Sequence, residues 1–320
     1  MFRIPRALLA TSLAVPVLSL ISPATSSTAA VTPDRPDASV SPLSQAHAHN
    51  DYEHDRPLQD ALSHGFTSVE ADVWLVDGEL LVAHDREDVD PSRTLESLYL
   101  DPLVDRARRE GGRVYRGYDG VFQLLIDVKS EAGPTYAAVH EALAEHRRIM
   151  STFRDGRVRQ DAVTAVISGN RDLPAMQAQR VRYAGYDGRM GDLGSGLPAA
   201  VLPLLSDNWT KYFSWQGVGP MPADQRAVLH DIVDRAHAAG YRVRFWATPD
   251  TPGPARDALW AELLDAGVDH LNTDDLAGLE AFLRAREEGR TVAGPPSTPT
   301  TTSSGRTPEW SRGRADQRQG

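Results

Sequence analysis

Two carboxylates stand two residues apart in Ser68-Val69-Glu70-Ala71-Asp72-Val73-Trp74, a segment rich in β-branched and small residues. In an extended strand alternate side chains share a face, so Glu70 and Asp72 project together while Val69, Ala71 and Val73 fill the other side. Two charges about 4 Å apart repel by about 4 kcal/mol at an effective dielectric of about 20, and a cation between them relieves the repulsion. A second run, Leu124-Leu125-Ile126-Asp127-Val128-Lys129, brings Asp127 and Lys129 to one face. Asp127 can complete a three-carboxylate oxygen site of the kind Mg²⁺ or Ca²⁺ prefers. Lys129 is then a point charge for phosphate.

Histidines accompany these acids. His47 and His49 alternate in Ala46-His47-Ala48-His49-Asn50-Asp51-Tyr52, and His84 follows Leu80-Leu81-Val82-Ala83 at the end of a hairpin. Imidazoles on either side of a metal suit general acid/base work at neutral pH. At about 3.3 Å per residue, His47 and His49 differ in depth by about 6.6 Å. The one nearer the carboxyl end reaches the pocket, so His49 is the expected partner of His84, with His47 one layer down as an extra metal ligand or a packed core residue. His47 stays a catalytic candidate beside His49, His84 and Lys129.

Such residues need a scaffold that aims strand ends at one place. Short apolar runs near Gln45–His49, Thr67–Trp74, Phe122–Val128, Ala162–Ser168, Val181–Tyr186, Val201–Ser206, Tyr241–Ala247 and Val268–Asn272 read as strands. Helical patterns lie between them at Pro57–His64, Leu95–Glu110, Tyr136–Met150, Ala223–Ala239, Ala255–Ala266 and Leu276–Arg286. Eight such units predict a single-domain α/β fold, a TIM (β/α)8 barrel over residues 44–289, with chemistry at the carboxyl ends of its strands. No Gly-rich turn follows the first strand to recommend a dinucleotide fold. Trp246, Asn272 and Asp274 close the last two strands, and Ser206, Asp207 and Trp209 the sixth; by position these shape a pocket mouth. Trp209, Tyr212, Phe213 and Trp215 form an aromatic loop that either meets a lipid surface or packs inward as a lid.

The order His, Glu-x-Asp, His-Asp, Ile-Asp-x-Lys resembles the PLC-like phosphodiesterase superfamily of TIM barrels, which includes glycerophosphodiester phosphodiesterases, phosphatidylinositol-specific phospholipases C and sphingomyelinase D. Within it, His-Ala-His-Asn-Asp-Tyr (47–52), Val-Glu-Ala-Asp-Val-Trp (69–74), Phe-Trp-Ala-Thr-Pro-Asp (245–250) and Asn-Thr-Asp-Asp-Leu (272–276) are similar to the branch named for altered inheritance of mitochondria protein 6. The resemblance spans residues 44–286. It implies a divalent metal on Glu70, Asp72 and Asp127, with a first-strand histidine and His84 as the acid/base pair. Two departures stand out. Glycerophosphodiesterases usually read His-Arg-Gly where this chain reads His-Ala-His-Asn, and they carry Glu where it has Asp127, which is closer to sphingomyelinase D.

The chain has 320 residues, a formal net charge of −10 and no cysteine. The acidic balance disfavours nucleic acid, and the missing cysteines exclude disulfides and thiolate chemistry. Arg3 and Arg6, an apolar run from Leu8 to Ile21 and small residues to Ala30 read as a signal peptide, residues 1–30, and so as export by a Sec-type route to the medium or cell wall. Residues 31–43 are a Pro-rich linker and 290–320 a disordered Pro/Ser/Thr-rich tail. The expectation is a secreted, monomeric, metal-dependent phosphoric diester hydrolase acting on glycerophosphodiesters or phospholipid headgroups, with transient contact to a lipid surface. Two alternatives are a polymerase-and-histidinol-phosphatase-type phosphoesterase, using His47-x-His49 with Asp51 and later histidines such as His230, His237 and His270, and a non-catalytic lipid- or cell-wall-binding barrel.

Overall fold

The computed structural model describes residues 40–293. The expected signal peptide and most of the expected linker and tail therefore lie outside the described residues. In chain order the strands are β1 (Leu43–Ala48), β2 (Phe66–Val76), β3 (Glu79–Val82), β4 (Phe122–Val128), β5 (Thr152–Arg154), β6 (Arg157–Arg159), β7 (Val163–Gly169), β8 (Val181–Arg182), β9 (Ala184–Gly188), β10 (Leu204–Asn208), β11 (Arg242–Trp246) and β12 (His270–Thr273). The helices are α1 (Gln59–Ser63), α2 (Asp101–Arg109), α3 (Ala132–Glu145), α4 (Leu173–Ala178), α5 (Ala223–Ala238), α6 (Pro254–Asp265) and α7 (Leu276–Ala293).

Eight strands, β1, β2, β4, β7, β9, β10, β11 and β12, pair in parallel with their neighbours, and β1 meets both β2 and β12. The sheet is thereby closed, and the expected TIM barrel is the fold. β3 adds to β2 as an antiparallel hairpin through Asp77 and Gly78, both at positive φ, the conformation a two-residue hairpin turn demands. This hairpin delivers His84 over the barrel mouth, and Trp74 Nε1 donates to Ala83 O at 3.1 Å to hold it there.

Several elements depart from the sequence expectation for local reasons. Val181–Arg182 leaves the barrel to join β5 and β6 in a small antiparallel sheet, so the fifth barrel strand begins only at Ala184. The sixth starts at Leu204, past Pro203, whose ring lacks the N–H a central strand needs. Helix α3 begins at Ala132, before Pro134, because proline is tolerated in a first turn. Helix α7 continues past Arg286 to Ala293 and crosses the expected domain edge at 289. The 96–110 stretch is one π-type turn, Glu96–Leu100, followed by α2.

Alternation divides each barrel strand. Val69, Ala71, Val73, Leu124, Ile126 and Val128 belong to the large apolar core with helix residues such as Leu103, Val139 and Leu143. The inward faces hold a small apolar plug, Leu125, Val166 and Leu204, and otherwise polar side chains. A TIM interior is ordinarily filled by branched aliphatics. Here His47, Ser68, Glu70, Asp72, Gln123, Ser168, Asp187, Ser206, Arg244 and Asn272 are buried instead.

Candidate active site

Buried polar groups are stable only when paired, and the interior pairs them in a chain. Arg242 Nη2 donates to Gln123 Oε1 at 2.6 Å and Gln123 Nε2 to Ser68 Oγ at 2.8 Å. Ser68 Oγ lies 2.7 Å from His47 Nδ1, and His47 Nε2 is 3.3 Å from Glu70 Oε2. Arg244 Nη2 then reaches Glu70 Oε2 at 2.5 Å, and the same guanidinium donates to Asn272 Oδ1 at 2.8 and 2.6 Å. Burial, followed by the Arg244 charge, lowers the His47 pKa to about 3. A neutral ring with its proton on Nε2 satisfies this chain, the Ser68 hydroxyl donating to Nδ1. Burial works against ionising Glu70, but Arg244 and the His47 hydrogen bond outweigh it and hold the carboxyl well below its usual range.

At the carboxyl end of β2 and β4 the three predicted acids converge. Glu70, Asp72 and Asp127 each offer an oxygen within 4.8 Å of the others, and no second such group occurs among the described residues. Asp72 Oδ2 accepts from Tyr52 at 2.6 Å, lies 2.9 Å from Lys129 Nζ and 3.2 Å from His84 Nδ1. Its other oxygen, Oδ1, is buried with no partner. Burial and then Glu70 push the Asp72 pKa upward, and the same two causes raise Asp127 to about 6. Lys129 also bridges to Asp127 Oδ1 at 3.3 Å; burial opposes its charge, yet Asp127 and Asp72 keep its pKa above the ordinary lysine value. An orphaned carboxylate oxygen among crowded, hard oxygen donors fits a divalent cation, which would be held by Glu70, Asp72 and Asp127.

The histidines take different places. His49 lies one residue beyond β1, its N–H still bonded to Thr273 O at 2.9 Å, and its Nδ1 is 2.8 Å from Asp274 Oδ1. Burial lowers the His49 pKa, but the Asp274 hydrogen bond and the charge of Glu70 outweigh it and raise the net value. Asn50, left-handed at φ 45°, turns the chain immediately after, a conformation asparagine tolerates. His84 faces this group from the hairpin, its side chain 53% exposed. His49, His84, Glu70, Asp127 and Lys129 line one cavity of about 210 Å³, with Asn50, Ser168, Arg189, Ser206, Arg244 and Trp246. His47, at 0% exposure, lies beneath it.

Of the expected pocket-mouth residues, Trp246 and Ser206 line the cavity. Asn272 and Asp274 act through neighbours, the first under Arg244 and the second behind His49. Asp207 is buried and bonded to Lys211, Tyr212 and the Met190 N–H, and Trp209 is a core residue stacked on Phe213 at 4.0 Å. The aromatic loop packs inward: Trp209, Phe213 and Trp215 are buried, and of its rings Tyr212 alone is exposed. Asp51, required by the histidinol-phosphatase-type alternative, accepts from the Leu58 N–H at 2.6 Å and the Tyr99 hydroxyl at 2.9 Å, away from the cavity. His230 and His237 sit on α5 and His270 at the amino end of β12, so none joins the acids.

Three cavity residues escaped the sequence reading. Arg244 carried a signal, since Arg242-x-Arg244-x-Trp246 alternates against apolar Val243 and Phe245. Arg189, just past β9, bonds Asp187 Oδ2 at 2.6 Å, the same oxygen that accepts from Ser168 at 2.7 Å and Ser206 at 2.6 Å. Ser168 completes this hydroxyl and guanidinium wall, and its identity alone gave nothing to read.

The acids, a lysine, two arginines and two histidines thus stand at the carboxyl rim of a closed parallel barrel, where barrels of this kind carry their active sites. Residues 37–187 match the AIM6-like phosphodiesterase domain, and residues 242–277 the glycerophosphoryl diester phosphodiesterase family. Altered inheritance of mitochondria protein 6 from Eremothecium gossypii is 31% identical over 75% of this chain and 69% of its own. A homologue from Arthroderma benhamiae is 27% identical over 74% of this chain and 82% of its own. The crystal structure of a glycerophosphoryl diester phosphodiesterase from Parabacteroides distasonis superposes with a TM-score of 0.46 at 11% identity, covering 77% of this chain and 87% of that one. The chain belongs to the altered inheritance of mitochondria protein 6 family.

Proposed function

We propose that the protein is an exported, metal-dependent phosphoric diester hydrolase that cleaves glycerophosphodiesters or the headgroups of phospholipids, acting as a monomer. The observation that carries this reading is the convergence of the Glu70, Asp72 and Asp127 oxygens with Lys129, Arg189, Arg244, His49 and His84 around one small cavity. A divalent cation bound by the three acids supplies Lewis-acid polarisation of a phosphoryl oxygen.

The chain's own groups supply the rest. Lys129 and the Arg189 and Arg244 guanidiniums face the non-bridging oxygens and stabilise the charge that grows on them. Asp274 fixes Nδ1 of His49, leaving Nε2 to take the proton of the attacking hydroxyl. That hydroxyl belongs to water or to the substrate's own neighbouring carbon, the latter giving a cyclic phosphate. His84, on the opposite hairpin, protonates the departing alcohol as its bond to phosphorus breaks. Tyr52 orients His84 by donating to Asp72 Oδ2 while lying 3.2 Å from His84 Nδ1. A cavity of about 210 Å³ suits a headgroup rather than acyl chains. Intact phospholipids and their deacylated counterparts, assayed in parallel with Mg²⁺ and Ca²⁺, test the reading. Deacylated headgroup diesters should turn over at least as fast as lipids in one metal, and no turnover of any diester in either would overturn it.

A further inference from the structure

A larger cavity lies at the other end of the barrel. It has a volume of about 650 Å³, and its walls include Thr67, Tyr118, Phe153, Val158, Arg242 and His270, at or near the amino ends of the strands. Phe153 and Val158 come from the small sheet of β5, β6 and β8, which stands beside the barrel here.

Arg242 is the feature that needs explaining. Its guanidinium donates to His270 Nε2 at 3.2 Å and to Gln123 Oε1 at 2.6 Å, both uncharged acceptors, and no carboxylate among the described residues forms an ion pair with it. Burial works against this half-buried cation, and Asp269 answers its charge only at a distance, without a hydrogen bond to it. The other charged group on the wall, Asp269, is committed elsewhere: its Oδ2 takes hydrogen bonds from His237 Nε2 at 2.9 Å and from the Val243 N–H at 2.8 Å. A second observation points the same way. His270 is 2% exposed and lines the cavity, and with Nε2 accepting from Arg242 its Nδ1 carries a hydrogen that has no partner.

The geometry points to a second ligand site at the amino end of the barrel, for a small organic anion whose oxyanion meets Arg242 and whose apolar body lies on Phe153 and Val158. This site is separate from the catalytic cavity and does not depend on the reaction assigned there. An oxyanion would return to Arg242 the charge-assisted bonds its neutral partners do not provide. The cavity is within the size range of small-molecule sites.

The test is a ¹⁹F NMR titration of the full chain with 4-(trifluoromethyl)benzoate, with the neutral 4-(trifluoromethyl)benzamide as the matched control. Benzoate should bind and the amide should bind at least about tenfold more weakly. Val158→Glu places a negative charge at the cavity rim on a residue 39% exposed, so folding is not at risk. It should weaken benzoate at least about tenfold while phosphodiester turnover is unchanged. Arg242→Gln should abolish benzoate binding, and Lys129→Met, at the opposite end, should leave it intact. Equal affinity for benzoate and benzamide, equal binding to wild type and Val158→Glu, loss of binding in Lys129→Met, or no benzoate binding at all would each overturn the proposal.

Discussion

Asp274 favours His49 over His47 as the base of the proposed reaction. Its carboxylate grips Nδ1 of His49, whereas His47 is enclosed between Ser68 and Glu70. A base must release and regain a proton, and a ring whose pKa is driven to about 3 by burial and Arg244 is poorly placed to do so near neutrality. His49→Ala and His84→Ala should therefore each lower turnover by about 10²-fold or more. His47→Ala should act on stability, costing about 1–3 kcal/mol by taking one buried hydrogen-bond partner each from Ser68 and Glu70. A His47→Ala enzyme that is stable but dead beside an active His49→Ala would reverse the assignment. The pH profile gives an independent check. His49 acts as a base only when deprotonated, so the rate falls as pH drops through its pKa. Asp274 raises that pKa, hence Asp274→Asn should move the acid limb of the kcat/KM profile to lower pH, and an unmoved limb would separate Asp274 from the chemistry.

Among the elements, β4 and β7 show how backbone geometry sets the acidic site. Gly169 ends β7 at φ +67°, and a Cβ there would stand 2.2 Å from Asp127 Oδ1 and 2.4 Å from Val128 O. Gly169→Ala should displace Asp127 and weaken Mg²⁺ affinity, read by calorimetry, by about tenfold or more, besides the strain of about 1–2 kcal/mol for a left-handed residue. Gly78→Ala, at φ +92° with open space around it, carries strain alone and should leave the affinity unchanged. The same scale explains what the sequence revealed. Alternation in 69–74 and 122–129 puts acids on one face and aliphatics on the other, so the acidic triad was legible. Barrel closure followed from the βα rhythm. Arg189 and Asp187 stayed hidden because β9 is five residues with two glycines, and its first half was absorbed into a run that the chain divides between two sheets. β5 and β6 are three residues each with Phe153 their one buried side chain, too short a run to show alternation.

For the molecule as a whole, the polar interior makes stability depend on protons and cation together. Asp127 has a folded pKa of about 6 through burial and Glu70, above the unfolded carboxylate value, so the folded chain binds the proton more tightly. Without metal, the proton's stabilising effect is full below the unfolded pKa and is lost as pH rises to about 6, a penalty of at most about 3 kcal/mol. Asp51, raised to about 7 by burial, changes in the same direction over a wider window. Buried His47 and His270, held below their unfolded values, act in the opposite sense over the same range, so the Asp127 part is read by difference: without metal, the urea midpoint of Asp127→Asn relative to wild type should rise between about pH 4 and pH 7, and Mg²⁺ should recover most of the wild-type loss at pH 7. A difference that falls or stays flat over this range would contradict the electrostatic account of the acidic cluster.

Whether three barrel acids and a cation support phosphodiester cleavage is decided by turnover of bis-p-nitrophenyl phosphate before and after chelation. Wild-type protein should hydrolyse the diester, lose the activity in excess EDTA and regain it with Mg²⁺ or Ca²⁺, while Asp72→Asn remains folded and nearly inactive under all three conditions. Turnover that persists in excess chelator, or survives undiminished in Asp72→Asn, would contradict it.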